Sequence, residues 1–149
     1  MSGTMTWHFE GRLFVVVHGP RDPSNLEWQR MLKEEVERGR GQPMCTLVVS
    51  YGGSPNGEQR KLLERQMDHN SGPTCVMTKS TIVKAIAAAL LFFNRRLKVV
   101  GLDENAEAYS FLGLSAAERA LADRVRRQCE LELGFASGGS LTLPPTREP

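Results

Sequence analysis

No Cys-x-x-Cys pair occurs in the 149 residues. The three cysteines, Cys45, Cys75 and Cys129, are odd in number and widely spaced. That pattern suggests neither a zinc framework nor a thioredoxin-like redox pair. Cys45 and Cys75 each adjoin an apolar run, where a free thiol acts as a small hydrophobe, and a reducing compartment suits them. Long hydrophobic runs are missing too. The longest, Ala85 to Phe93, is far too short to span a bilayer. The opening residues, MSGTMTWHFEGR, lack the basic region, apolar core and cleavage site of a signal peptide, so a cytoplasmic location is expected. Nor is there an excess of one charge. The net charge is +2 and the arginines are interleaved with acids, unlike the clustered basic footprint of a nucleic-acid binder. The expected partners therefore include neither nucleic acid nor membrane.

What is present is an ordinary globular composition, 40% apolar and 24% charged, in a chain long enough for one domain with a real core. Thr6 to Phe9 and Arg12 to His18 read as two strands around a short turn at Glu10-Gly11. The second, LFVVVH, is continuously apolar and β-branched, as in a strand covered on both faces. Ser24 and Glu27 then form a capping-box pattern, with Trp28, Leu32 and Val36 on one helical face and Gly39 as the stop. The alternation continues with a strand at Thr46 to Val49 and a helix opened by Ser54 or Pro55 that carries Leu62, Leu63 and Met67. Next come a strand at Thr74 to Met77 and a helix from Thr78 or Ser80 with Ile82, Ile86, Leu90 and Phe93. A short strand, Leu97 to Val100, precedes a helix at Asp103 to Leu112 closed by Gly113. A second capping box, Ser115 with Glu118, starts a last helix whose apolar face is Leu121, Val125 and Cys129. Arg124, Arg126 and Arg127 beside Asp123 and Glu130 read as its solvated face.

The order β-β-α-β-α-β-α-β-α-α predicts a single α/β layered domain over residues 1–133. Its sheet is mainly parallel, with an antiparallel first strand and helices on both faces. From Gly134 onward, GFASGGSLTLPPTREP is too rich in Gly, Ser and Pro to offset chain entropy, so 134–149 is expected to be a flexible tail.

The stretch SYGGSPNGEQR, residues 50–60, has P-loop spacing from Gly52 to Gly57. A P-loop needs a lysine and a metal-binding hydroxyl next, and here stand Glu58 and Gln59. A carboxylate ~4 Å from a phosphate charge repels it by about 4 kcal/mol at an effective dielectric of 20. Ser54-Pro55 fits a helix start, with serine as cap and proline at the first helical position. A hydrolase built from Ser50 or Ser54 with His18 and Asp22 lacks the GxSxG elbow. His8 and His69 stand alone and make no metal set with Cys45 or Cys75.

Three loops, 18–25, 50–56 and 78–81, each follow a parallel strand and should meet at one end of the sheet, where open α/β sheets bind ligands. They bring together His18, Arg21, Asp22, Tyr51, Ser54, Asn56 and Lys79, a mixed polar and aromatic surface suited to a partner.

The element order and the segments RLFVVVHGPRDPSNLEWQRML, CTLVVSYGGSPNGEQRKLL, PTCVMTKSTIVKAIAAALLFFN and LKVVGLDENAEAYSFLGL resemble the STAS domain family, whose best-known members are anti-sigma factor antagonists of the SpoIIAA type. The resemblance covers residues 5 to about 114. It implies a bacterial, non-enzymatic signalling and regulatory module that needs no cofactor and binds a protein. That partner would be a kinase-like anti-sigma factor or another signalling or scaffold protein. It also implies a phosphosite at the start of the helix after the third strand. Only Ser54 is comparable, in Gly53-Ser54-Pro55-Asn56 where the family has Asp-Ser-Ser-Gly or close to it. The alternatives are a small-molecule or nucleotide sensor using the same edge, and a hydrolase using Ser54 and His18. The last helix is a candidate homodimer contact.

Overall fold

The computed structural model describes residues 3–39, 44–67 and 72–135. The elements are β1 (Met5–Glu10), β2 (Leu13–His18), α1 (Asn25–Arg38), β3 (Cys45–Ser50), α2 (Gly57–Met67), β4 (Thr74–Thr78), α3 (Thr81–Leu90), β5 (Leu97–Val100), α4 (Asn105–Leu112) and α5 (Ala116–Glu132). The expected order and α/β class are therefore observed. One five-stranded sheet runs β1-β2-β3-β4-β5, antiparallel between β1 and β2 and parallel thereafter. Among the described residues no helix is long and apolar enough to cross a membrane.

Side chains alternate across a strand, so the two faces of the sheet can be assigned by parity. Leu13, Val15 and Val17 of β2, with Leu47 and Val49 of β3 and Cys75 and Met77 of β4, face α4 and α5. They form one continuous core with Ala108, Leu112, Val125 and Cys129. The opposite face, with Phe14, Val16 and Val76, meets α1, α2 and α3. There the apolar contacts divide into two clusters, one under α1 and one under α3. The helix between them, α2, makes its main contact with α1 rather than with the strands. All six residues of β2 are buried, as its β-branched run requires.

Helix faces differ from the spacing-based reading in instructive ways. In α1 the buried residues are Trp28, Met31, Leu32 and Glu35, while Val36 is exposed. In α3 they are Val83, Ala87 and Leu90. Ile82 points outward, and α3 ends before Phe92 and Phe93, which lie exposed. A continuous apolar run offers several helical faces, and only tertiary contact selects one. Phe135, assigned by composition to the tail, is buried edge-on against Tyr51. The remainder of the tail, 136–149, lies outside the described residues, as does His69.

Caps follow the sequence at Ser80 and at Ser115, where both halves of the box with Glu118 are made. Ser24 caps α1, but the Glu27 carboxylate accepts from the Ser24 hydroxyl and from Thr4 on the strand side rather than closing a box. At α2 the expectation fails. The cap is Asn56, whose Oδ1 accepts from Gln59 N at 2.9 Å while Gln59 Oε1 accepts from Asn56 N at 2.9 Å. An Asn-x-x-Gln box does here what Ser54-Pro55 was expected to do, two residues later. Asn56→Ala should therefore lower stability by about 1 kcal/mol. Ser54→Ala should stay within about 0.5 kcal/mol of wild type. Urea unfolding of the two variants side by side checks this, and equal losses would restore Ser54 as the cap.

Candidate functional site

The loops after β2, β3 and β4 do meet at one end of the sheet, and they are bonded to one another. Gly53 N donates to Gly19 O at 2.8 Å, Tyr51 N to His18 O at 3.0 Å, and Ser54 N to Asp22 Oδ1 at 3.1 Å. Thr78 Oγ1 donates to Ser50 O at 3.0 Å, and Gln59 Nε2 reaches Pro23 O and Asn25 Oδ1. The glycine pair has its reason in this packing. Gly52 sits at φ +131°, a conformation that side chains rarely adopt, and a Cβ on Gly53 would collide with the carbonyl oxygens of Arg21 and Gly19.

The same bonds account for the P-loop-like spacing. Within 51–56, Tyr51, Gly53, Ser54 and Asn56 donate as described, Gly52 N donates to Ser50 Oγ, and Pro55 has no N–H. A phosphate would find the amides of 51–54 and 56 already engaged. No nucleophile–base–acid relay is assembled among the described residues either. Ser50 is buried and donates to Gly53 O at 2.8 Å, and Asp22 is engaged with the Ser54 backbone.

The seven expected partner residues divide by position. Arg21, Asp22, Asn56 and Lys79 are exposed on the rim, and Ser54 is half-buried there. Tyr51 turns away from it. Its hydroxyl donates to the Glu130 carboxylate and accepts from Arg126 Nη2 at 3.2 Å. Burial pushes this phenol up to about 12, so it stays a donor. His18 is the clear departure from the sequence reading. It is 5% exposed and its ring lies on the α1–α3 face, 6.0 Å from that of Trp28. An even-numbered residue of β2 shares a face with Phe14 and Val16, which withdraws it from the rim.

Sequence reasoning also misplaced Arg126. It is buried, not solvated, and its guanidinium bonds Glu130 at 2.9 Å, Leu102 O at 3.2 Å and Asn105 Oδ1 at 3.1 Å. Burial opposes its charge, but the bonds to Tyr51 and Glu130 outweigh that and hold it protonated. The i, i+4 spacing of Arg126 and Glu130 beside the apolar stripe was the available signal. His8, read as isolated, pairs with Glu132 at 3.0 Å, and Cys129 Sγ lies within 4.8 Å of both ligand atoms. Burial pushes that thiol up to about 11, so it is a neutral group beneath the His8–Glu132 hydrogen bond. The apolar stripe of α5, offered either to the core or to a dimer contact, goes to the core: Val125 and Cys129 are buried in it and Leu121 packs against it, half-buried. Leu131 remains exposed on that helix.

No family model, curated protein or solved structure matches the chain.

Two measurements check these placements. Arg126→Met leaves a buried carboxylate and several polar groups without their cation, so it should cost about 3 kcal/mol, whereas exposed Arg124→Ala should cost less than about 0.5. Similar losses in urea unfolding would put Arg126 back on the surface. The second concerns pH. Burial lowers His18 from 6.5 to about 4. Between those values the unfolded chain binds a proton that the folded chain does not. Stability is thus full above about pH 6.5 and is lost as the pH falls toward 4, by up to about 3 kcal/mol. In His18→Asn the difference between unfolding free energies at pH 7 and pH 5 should shrink accordingly. An unchanged difference rules the burial out.

Proposed function

We propose that this chain is a STAS-like regulatory module without chemistry of its own, docking a protein on the loop edge formed after β2, β3 and β4. The partner class is a kinase-like anti-sigma factor or another signalling or scaffold protein. The observation that carries the reading is the make-up of that edge. Leu26 and Ile82, the second residues of α1 and α3, are 59% and 65% exposed there. Around them stand the exposed Arg21, Asp22, Asn56 and Lys79. Apolar side chains with a polar rim are the usual anatomy of a contact surface. The cross-bonded loops support docking further, because a surface already ordered loses little entropy on binding.

Ser54 is the proposed phosphosite. The residue is half-buried at the approach to α2, where the helix N-terminus favours an anion and Glu58 opposes one. The three cysteines are buried free thiols, in keeping with a cytoplasmic setting.

The test is affinity purification from the native host, with the wild type and the Leu26→Asp/Ile82→Asp double variant as parallel baits. A protein retained by the wild type should fall at least tenfold with the variant, whose melting temperature should stay within a few degrees. If both baits retain the same proteins equally, the edge is not the docking surface.

A further inference from the structure

The α1–α3 face of the sheet is not filled. Glutamines hold α2 to α1: Trp28 Nε1 donates to Gln59 O at 3.0 Å, and Gln66 Nε2 reaches Leu32 O and Glu35 Oε1. Beneath it lies a partly open cavity of about 110 Å³, between a floor that includes Val16 and Val48 and a roof that includes Met31, Leu63 and Ile86. Being partly open, the cavity does not confine an occupant to that volume.

The cavity carries two polar side-chain atoms that packing does not explain. His18 and Thr46 both line it, and their Nδ1 and Oγ1 atoms are buried with no hydrogen-bond partner among the described residues. His18 is 5% exposed and Thr46 6%. Each such group is costly to bury unpaired, and native proteins seldom leave one. The strand register separates them. Phe14 stands opposite Thr46 and His18 opposite Ser50, so the two groups are four residues apart along the strands, roughly 13 Å. The mainly apolar cavity thus has a residue with an unused hydrogen-bonding group toward each end.

We propose that this cavity is a binding site for an uncharged, elongated, mainly apolar molecule with a hydroxyl or carbonyl group at one or both ends, bonded by His18 and Thr46. The lining fixes the charge of the ligand. It contains no lysine or arginine among the described residues to pair with an anion. The neutral state of His18 offers no cation either. The His18 end also includes Ser50, Gly53 and Pro55, so an occupant touches the underside of the loops that form the rim. The site stands whether or not that rim docks a protein.

The probes are 1-octanol, 1,8-octanediol and octanoate, titrated at submillimolar concentration with melting temperature and amide chemical shifts as readouts. Both alcohols should raise the melting temperature by several degrees and shift amides of β2, β3 and α2, and octanoate should do neither. Thr46→Val removes an unpaired hydroxyl, so it should melt at or above the wild-type temperature and yet bind the diol at least fivefold more weakly. Val48→Phe, which fills the cavity, should fold and abolish binding of both alcohols. The proposal is overturned if neither alcohol binds, if octanoate binds equally well, or if Val48→Phe folds and binds like the wild type.

Discussion

Strands laid across a sheet in chain order, joined by crossovers of a single hand, send every crossover helix to the same face. This constraint governs the molecule. β2 to β5 advance in one direction, so α1, α2 and α3 all cover one side, and only the two helices that follow β5 remain for the other. The consequence is an asymmetric pair of cores. Two helices at the chain's end can settle freely against β1 to β5, and they build the continuous, closely packed layer. Three helices in a row must share the other side, and the middle one is held to its neighbour by glutamine side chains. The cavity and the buried histidine both belong to the crowded side.

The closely packed side has a polar centre. Arg126 joins α5 to the carbonyl of Leu102, to the start of α4 and to Tyr51 at the end of β3. It reaches the loop edge from beneath through Tyr51, while Gln59 reaches it from the other face through Pro23 and Asn25. The edge is therefore held from both layers of helix. A second tie closes the far end, where Arg12 beside the β1–β2 turn bonds both oxygens of Glu118 and the carbonyl of Gly113.

Element order and the layered α/β class were legible because each strand is a compact apolar run and each helix begins at a recognisable cap or turn. Strand register was implicit in the same runs, since a slip of one residue would move Thr46 and Ser50 to the α4–α5 side. What was not legible depended on contact between distant segments. Ser54-Pro55 has the chemistry of a helix start, but Asp22 claims its backbone and α2 begins after Asn56. Arg126 resembles its exposed neighbours in composition, and only the approach of Leu102 and Tyr51 makes burying it tolerable. His18 was placed at the correct end of the correct strand. Its side-chain direction follows from parity with Phe14 and Val16, but β2 is apolar on both faces and so gives no inside or outside by itself. Gly52-Gly53 looked like a phosphate loop because both uses demand close backbone approach, and here the approaching backbone is the chain's own.

Among the described residues the sheet does not close, so β1 and β5 each have no strand partner on one side. A bare strand edge invites pairing with another copy, and proteins discourage it with short edges and charge. β5 is four residues long, and its one charged residue, Lys98, is paired with Glu107 at 3.0 Å. Two such edges brought together would gain only a short ladder. At this border of the sheet the chain is thus protected against fibre-like growth by the brevity of its last strand.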